Sequence, residues 1–322
     1  MNKAMGSRFR YYLGLLALGL MASGAVAQEY PVRPVTILVW AEPGSPIDLY
    51  SRAMARLLTR ELGQNVIVEN RPGADGVIMI NALLKAPADG YMIASNSLSL
   101  ASLFGEPNIN FKPDDLQMIA RSQIDPYALI VPASIPFKTV DEFVKYARQH
   151  PGKITVGGAF EIGAHRVFWE TFSQLAQIKT TWIPYKGGGP AMLAVAGGHV
   201  DAAQNNPGQA KPHVLTGKVR LLAVSSEQRL KDFPAVPTYK ERGWDIVRYQ
   251  WRGMMAKAGL PKPVLDRLVA AIQKAHQTPE WKAFLEQVVQ LDGYMGPAEF
   301  KAVLLTDTRE FDVTKKKFRV QQ

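Results

Sequence analysis

Short apolar runs rich in β-branched residues alternate with segments of helical period along most of this chain. That alternation narrows the choice of fold more than any other feature. Val35 to Val39 is continuous and apolar, as a strand buried on both faces of a parallel sheet must be. The turn Trp40-Ala41-Glu42-Pro43-Gly44-Ser45-Pro46 separates it from a helix expected over Ile47 to Leu62. There Leu49, Ala53, Met54, Leu57, Leu58 and Leu62 recur at helical spacing, Asp48 complements the first-turn dipole, and Gly63 ends the helix. A strand over Asn65 to Glu69, a helix ending near Lys85 and a strand over Tyr91 to Ser95 extend the order. This is the pattern of an open α/β sheet.

The middle of the chain repeats it. Strands are expected over Tyr127 to Val131, Lys153 to Val156, Thr180 to Pro184, Val200 to Gln204 and Arg220 to Ser225. Thr139-Val140-Asp141-Glu142 matches a capping box ahead of one helix, and Ala164 to Leu175 reads as another. The tail is helical over Pro263 to His276, Glu280 to Val289 and Pro297 to Lys315. Two such blocks predict two lobes facing a crevice, with a ligand bound outside the carboxyl ends of the strands.

The length of 322 residues suits two domains, and 47% hydrophobic residues supply their cores. Residues 1–27 read as a secretory signal peptide: Lys3, Arg8 and Arg10 are basic, Tyr12 to Met21 is apolar, and Ala25-Val26-Ala27 fits a cleavage site. The mature chain is expected to be soluble and to carry 35 basic against 28 acidic residues, a formal charge of +7. No Lys/Arg block with interleaved aromatics accompanies that charge, so nucleic acid is not the expected partner. The absence of cysteine excludes disulfides, thiolate metal sites and a Cys nucleophile.

Tyr185-Lys186-Gly187-Gly188-Gly189-Pro190-Ala191 is the most distinctive loop. It follows a strand, and its three glycines let the backbone approach a bound group closely. Pro190 suits a first helical turn, whose outward N–H groups favour a carboxylate or a phosphate. A plain strand-to-helix turn explains the same residues. The loop lacks the downstream Lys-Ser/Thr of a P-loop, and no G-x-S-x-G, H-E-x-x-H or dinucleotide fingerprint occurs. No His/Asp/Glu spacing suggests a metal. Neither cofactor nor metal is expected, and a secreted enzyme is the rival class that remains.

Several phrases together resemble one family. Tyr30-Pro31 and Arg33-Pro34-Val35-Thr36-Ile37-Leu38-Val39, then Pro43-Gly44 and Asp48, resemble the mature start of tripartite tricarboxylate transporter substrate-binding proteins, the Bug-type receptors. Val68-Glu69-Asn70-Arg71-Pro72-Gly73-Ala74, Asp89-Gly90-Tyr91, Pro184-Tyr185-Lys186-Gly187, Gly197-Gly198-His199-Val200-Asp201 and Ala258-Gly259-Leu260-Pro261 follow in family order. The resemblance implies a two-lobed periplasmic binding protein of the type II, Venus-flytrap kind, with two open sheets flanked by helices. It implies a discontinuous first lobe, 28–126 plus 250–322, and a second lobe, 127–249. A monomeric receptor would close on a small organic carboxylate and deliver it to integral-membrane transporter subunits, without catalysis. A ligand-loaded adaptor for a membrane sensor is the alternative.

By the same resemblance the carboxylate is held by main-chain N–H groups and waters at Ala41 to Ser45, Asn96-Ser97, Gly157-Gly158-Ala159-Phe160-Glu161, Tyr185 to Ala191, and Asn205. The chain departs from the family at Ala41-Glu42, Ser45-Pro46-Ile47, Gly157 to Ile162, Asp75 (where Gly is usual) and Arg252. Trp40 offers either stacking on a planar ligand or core packing, and Phe160 the same choice. Glu42 and Glu161 read as acceptors for a ligand donor or as solvated carboxylates. If both line the cleft they disfavour a polyanion. Arg252 reads as a carboxylate clamp or a surface ion pair, Lys186 as extra charge or a solvated side chain, and His165 as a donor to an anion. With Trp40 and Phe160 near the space left by Ala41, the reading leans to an aromatic acid.

Overall fold

The computed structural model describes residues 30–320, with side chains over 30–316. The expected signal peptide lies outside the described residues. The chain runs β1 (Val35–Val39), α1 (Pro46–Leu62), β2 (Val66–Asn70), α2 (Val77–Lys85), β3 (Met92–Ser97), α3 (Ser99–Leu103) and β4 (Leu116–Pro126). It continues through β5 (Ala128–Pro132), α4 (Val140–Gln149), β6 (Thr155–Ala159), α5 (Ala164–Leu175), β7 (Thr181–Tyr185), α6 (Gly188–Ala196), β8 (Ala202–Asn205), α7 (Pro207–Leu215) and β9 (Val219–Val224). It ends with β10 (Tyr249–Lys257), α8 (Lys262–Gln277), α9 (Pro279–Val288), β11 (Leu291–Met295) and α10 (Pro297–Val320).

These strands form two sheets. The first has the order β11-β4-β10-β3-β1-β2 and the second β7-β6-β8-β5-β9. Both are mixed: β1 lies parallel to β2 and β3, while β10 runs antiparallel to β3 and β4. In the second sheet β6 is parallel to β7 and β8, and β5 is antiparallel to β8 and β9. The continuous apolar runs exist because each sheet is covered on both faces. Val35, Ile37 and Val39 pack with Tyr50, Leu58, Ile272 and Trp281 on one side of the first sheet. Leu38 points the other way, to Met79, Leu100, Phe300 and Phe311. Tyr127 and Leu129 likewise meet Phe143, Phe168 and Phe172, while Ala128 and Ile130 meet Met192, Val195 and Ala210. The capping box is formed as expected, the Glu142 N–H donating to Thr139 Oγ1 at 3.2 Å.

β4, β10, β11 and α3 have no counterpart in the sequence reading. The long pair β4 and β10 leads the chain out of the first sheet and back into it. A single residue, Tyr127, separates β4 from β5. At that crossing the Tyr127 N–H donates to Ser225 Oγ at 2.8 Å, and the Ser225 N–H donates to the Tyr127 carbonyl at 2.9 Å. Among the described residues no helix is long and apolar enough to cross a membrane.

Candidate ligand-binding cleft

The loop after β1 is shaped by a buried acid. Asp48, in the first turn of α1, is 1% exposed. Its Oδ2 accepts from the Gly44 N–H and from Arg52 Nε, each at 2.9 Å. Asn70 Nδ2 donates to Asp48 Oδ1 and to the Ala41 carbonyl, also at 2.9 Å. Burial pushes the Asp48 pKa up, but the bonds from Arg52, Gly44 and Asn70 outweigh it and hold the carboxyl below its usual range. The Ser45 N–H donates to the Glu42 carbonyl at 3.2 Å. The N–H groups of Gly44 and Ser45 are thus engaged inside the loop. Trp40 Nε1 and Ser45 Oγ are buried with no partner among the described residues.

Opposite lies the junction of β6 and α5. Gly158 is required there, because a Cβ would come within 2.1 Å of the Trp182 ring. Trp182 Nε1 donates to the Phe160 carbonyl at 3.1 Å, and the Phe160 N–H donates to the Tyr185 carbonyl at 2.8 Å. These bonds hold Phe160 in the left-handed region, at φ 61°, with its ring half exposed. A non-glycine residue held so is a strained feature of the kind that gathers at binding sites. Helix α5 then starts after Gly163 with no side-chain cap. Its first N–H groups carry the positive end of the helix dipole.

His165 is not the anion donor expected of it. It is buried, its Nδ1 accepts from the Ala159 N–H at 3.3 Å, and its Nε2 lies 3.1 Å from Asn206 Oδ1. Burial lowers its pKa to about 4, so both ring nitrogens are spent on structure and the ring is neutral at pH 7.

A cavity of about 180 Å³ separates these two walls. One wall is Trp40, Asp75, Ser99, Ser102, Gln250 and Phe311; the other is Ala159, Phe160, Ile162, Gly163, Ala164 and His165. Of the expected residues, Trp40, Ala159, Phe160 and His165 border it. Sequence reasoning missed Ser99, Ser102, Ile162, Gly163, Ala164, Gln250 and Phe311. The uncapped start of α5 was the one available signal for Gly163 and Ala164.

The other expected residues lie elsewhere. Asn96 and Ser97 are buried in β3, where Asn96 Oδ1 takes the Ser97 N–H at 2.6 Å. Glu42, Pro43, Glu161, Lys186, Gly189 and Pro190 are exposed, and Ala191 packs into the core. The loop from Tyr185 through Gly187 and Gly188 to Ala191 sits behind Phe160 and does not border the cavity. Asn205 serves that loop: its Nδ2 donates to the Gly188 carbonyl at 2.7 Å and its Oδ1 accepts the Asn206 N–H at 2.8 Å. The ion pair of Arg252 is buried, not on the surface. Arg252 is 5% exposed on β10, 3.6 Å from Asp125 Oδ2 and 3.2 Å from Gln123 Oε1. Among the described residues no group of three His, Asp or Glu side chains converges as metal ligands do.

Residues 50–312 match the tripartite tricarboxylate transporter family receptor. The chain is 34% identical over 272 residues to the protein BugT of Bordetella pertussis, covering 82% of each. It resembles the crystal structure of a TctC solute binding protein from Polaromonas, with a TM-score of 0.79, 31% identity, and coverage of 89% of this chain and 99% of that one. It also resembles MatC from Rhodopseudomonas palustris with bound malate, with a TM-score of 0.72, 26% identity, and coverage of 88% and 99%. The two covered sheets, the cavity between their walls and these likenesses agree: the chain belongs to the tripartite tricarboxylate transporter receptor family of periplasmic solute-binding proteins.

Proposed function

We propose that this receptor captures a small organic carboxylate with an aromatic body between its two lobes and hands it to integral-membrane transporter subunits. The observation that carries the reading is the pairing of walls. The uncapped N-terminus of α5 suits a carboxylate, and the rings of Trp40, Phe160 and Phe311 border the same cavity. MatC, the similar structure with malate, supports the carboxylate class. The rings favour a planar apolar body, which stacks on aromatic faces.

We place the lobe divisions at 28–126 plus 250–322 and 127–249. The passage from β4 to β5 through Tyr127, and the return at Tyr249, support them. A ligand touching both walls favours the closed arrangement by its extra contacts there.

A thermal-shift screen of the refolded mature chain against aromatic acids and small dicarboxylates tests the reading. A ligand at about 100 times its Kd adds roughly 2.7 kcal/mol, a readily seen rise in midpoint. Stabilisation by an aromatic acid is the expected result. Stabilisation by none of the aromatic acids, or chemical conversion of any panel member, contradicts the proposal.

A further inference from the structure

The cavity has electrical polarity. On one wall the start of α5 presents N–H groups and the positive end of a helix dipole. On the other stands Asp75, the one charged side chain bordering the cavity among the described residues, His165 being neutral there. Asp75 is solvent-exposed where it borders the cavity, and it has no hydrogen-bond or ion-pair partner among the described residues. No Lys or Arg borders the cavity to neutralise it.

The turn that carries Asp75 is well fixed. Ala74 and Asp75 both lie in the left-handed region, at φ 47° and 52°. Gly76, at φ 103°, packs so closely that a Cβ would lie 3.3 Å from Trp40 Cβ. The turn is thus wedged against the aromatic ring that borders the same cavity. The carboxylate stands in the turn that opens α2, where it also complements the positive end of that helix.

We infer that Asp75 sets the substrate class: it receives a cationic hydrogen-bond donor on the ligand, remote from the ligand's own carboxylate. The preferred substrate is then an aromatic zwitterion, a ring with a carboxylate at one end and an ammonium at the other. The α5 end takes the carboxylate, the rings of Trp40, Phe160 and Phe311 take the body, and Asp75 takes the ammonium. A second carboxylate at that end would face Asp75 with no cation to relieve the repulsion. Dicarboxylates are therefore disfavoured. This inference rests on the binding reading above.

Titration calorimetry with three probes tests it: 4-(aminomethyl)benzoate, benzoate and benzene-1,4-dicarboxylate. An ion pair to an exposed carboxylate predicts that the first binds up to about fivefold more tightly than benzoate. The dicarboxylate binds more weakly than benzoate. Asp75→Asn, checked for fold by circular dichroism, brings the aminomethyl-to-benzoate affinity ratio close to one and narrows the gap between benzoate and the dicarboxylate. Equal binding of benzoate and 4-(aminomethyl)benzoate by the unaltered chain, or a ratio untouched by Asp75→Asn, overturns the role of Asp75 while leaving the receptor reading intact. Failure of all three probes overturns the aromatic-acid reading and, with it, the role of Asp75.

Discussion

Asn70 Nδ2 reaches Asp48 Oδ1 at 2.9 Å, and the same amide also holds the Ala41 carbonyl. The end of β2 thereby ties the first turn of α1 to the loop after β1. Two phrases 22 residues apart in the sequence, Pro43-Gly44 with Asp48 and Glu69-Asn70-Arg71, are one hydrogen-bonded unit. Asp48→Ala strands the Gly44 N–H and the Asn70 amide, and it should lower stability by about 1–3 kcal/mol. Because that loop follows Trp40 directly, ligand affinity should fall as well. Urea unfolding and titration calorimetry on the same variant check both effects.

Gly158→Ala probes the opposite wall. The added methyl meets the Trp182 ring, whose Nε1 holds the Phe160 carbonyl. Overpacking of this kind costs about 1–3 kcal/mol. The variant should bind ligand less well than Gly189→Ala, where a Cβ meets nothing within 4 Å. Equal affinities in the two variants would show that Trp182 does not position Phe160.

Arg252 and Asp125 form a buried pair beside the crossing between the sheets. Removing one partner leaves the other charge uncompensated, a loss of about 3–5 kcal/mol. Arg252→Ala should therefore unfold at much lower urea. A variant as stable as the original would return Arg252 to consideration as a ligand contact.

Two buried groups near that crossing give opposing pH dependences. The His165 pKa falls from 6.5 to about 4 through burial, so its contribution is full above about pH 6.5 and is lost as the pH falls. The Asp125 pKa rises from 3.8 to about 6 through burial, partly offset by Arg252 and Gln290. Its contribution is full below pH 3.8 and is lost as the pH rises through about 6. The His165→Gln variant should thus lose stability from pH 4 to 6, and Asp125→Asn should gain it. Urea midpoints across that interval, identical in slope for both variants, would contradict the assignment.

Strands such as β1 and β5 were legible because covered sheets demand unbroken apolar runs. β4 and β10 were not. They carry Arg121, Ser122, Gln123, Asp125 and Arg252, polar groups that read as loop until their pairing across the sheet is seen. β11 hides behind Gly293, which lies so close to β4 that a Cβ would meet Ile124 at 2.5 Å. The cavity was partly visible: Trp40 and Phe160 stood out as aromatics in glycine- and proline-rich turns. Phe311 and Gln250 did not, because only packing brings α10 and β10 to the cleft. Asp75 was marked as a departure from the family phrase, yet only packing places it at the cavity. The glycine loop at Tyr185 to Ala191 stands out in the sequence, but it does not border the cavity.

The central claim is that one aromatic acid is held between Trp40 and Phe160. Titration calorimetry with 4-(aminomethyl)benzoate, run on the refolded chain and on Trp40→Ala and Phe160→Ala, tests it most directly. Loss of an aromatic contact is worth about 1.5 kcal/mol, or roughly tenfold in affinity. Saturable one-to-one binding, weakened at least that much in each variant, is the predicted result. Binding of equal strength in all three chains would place the ligand elsewhere and contradict the account.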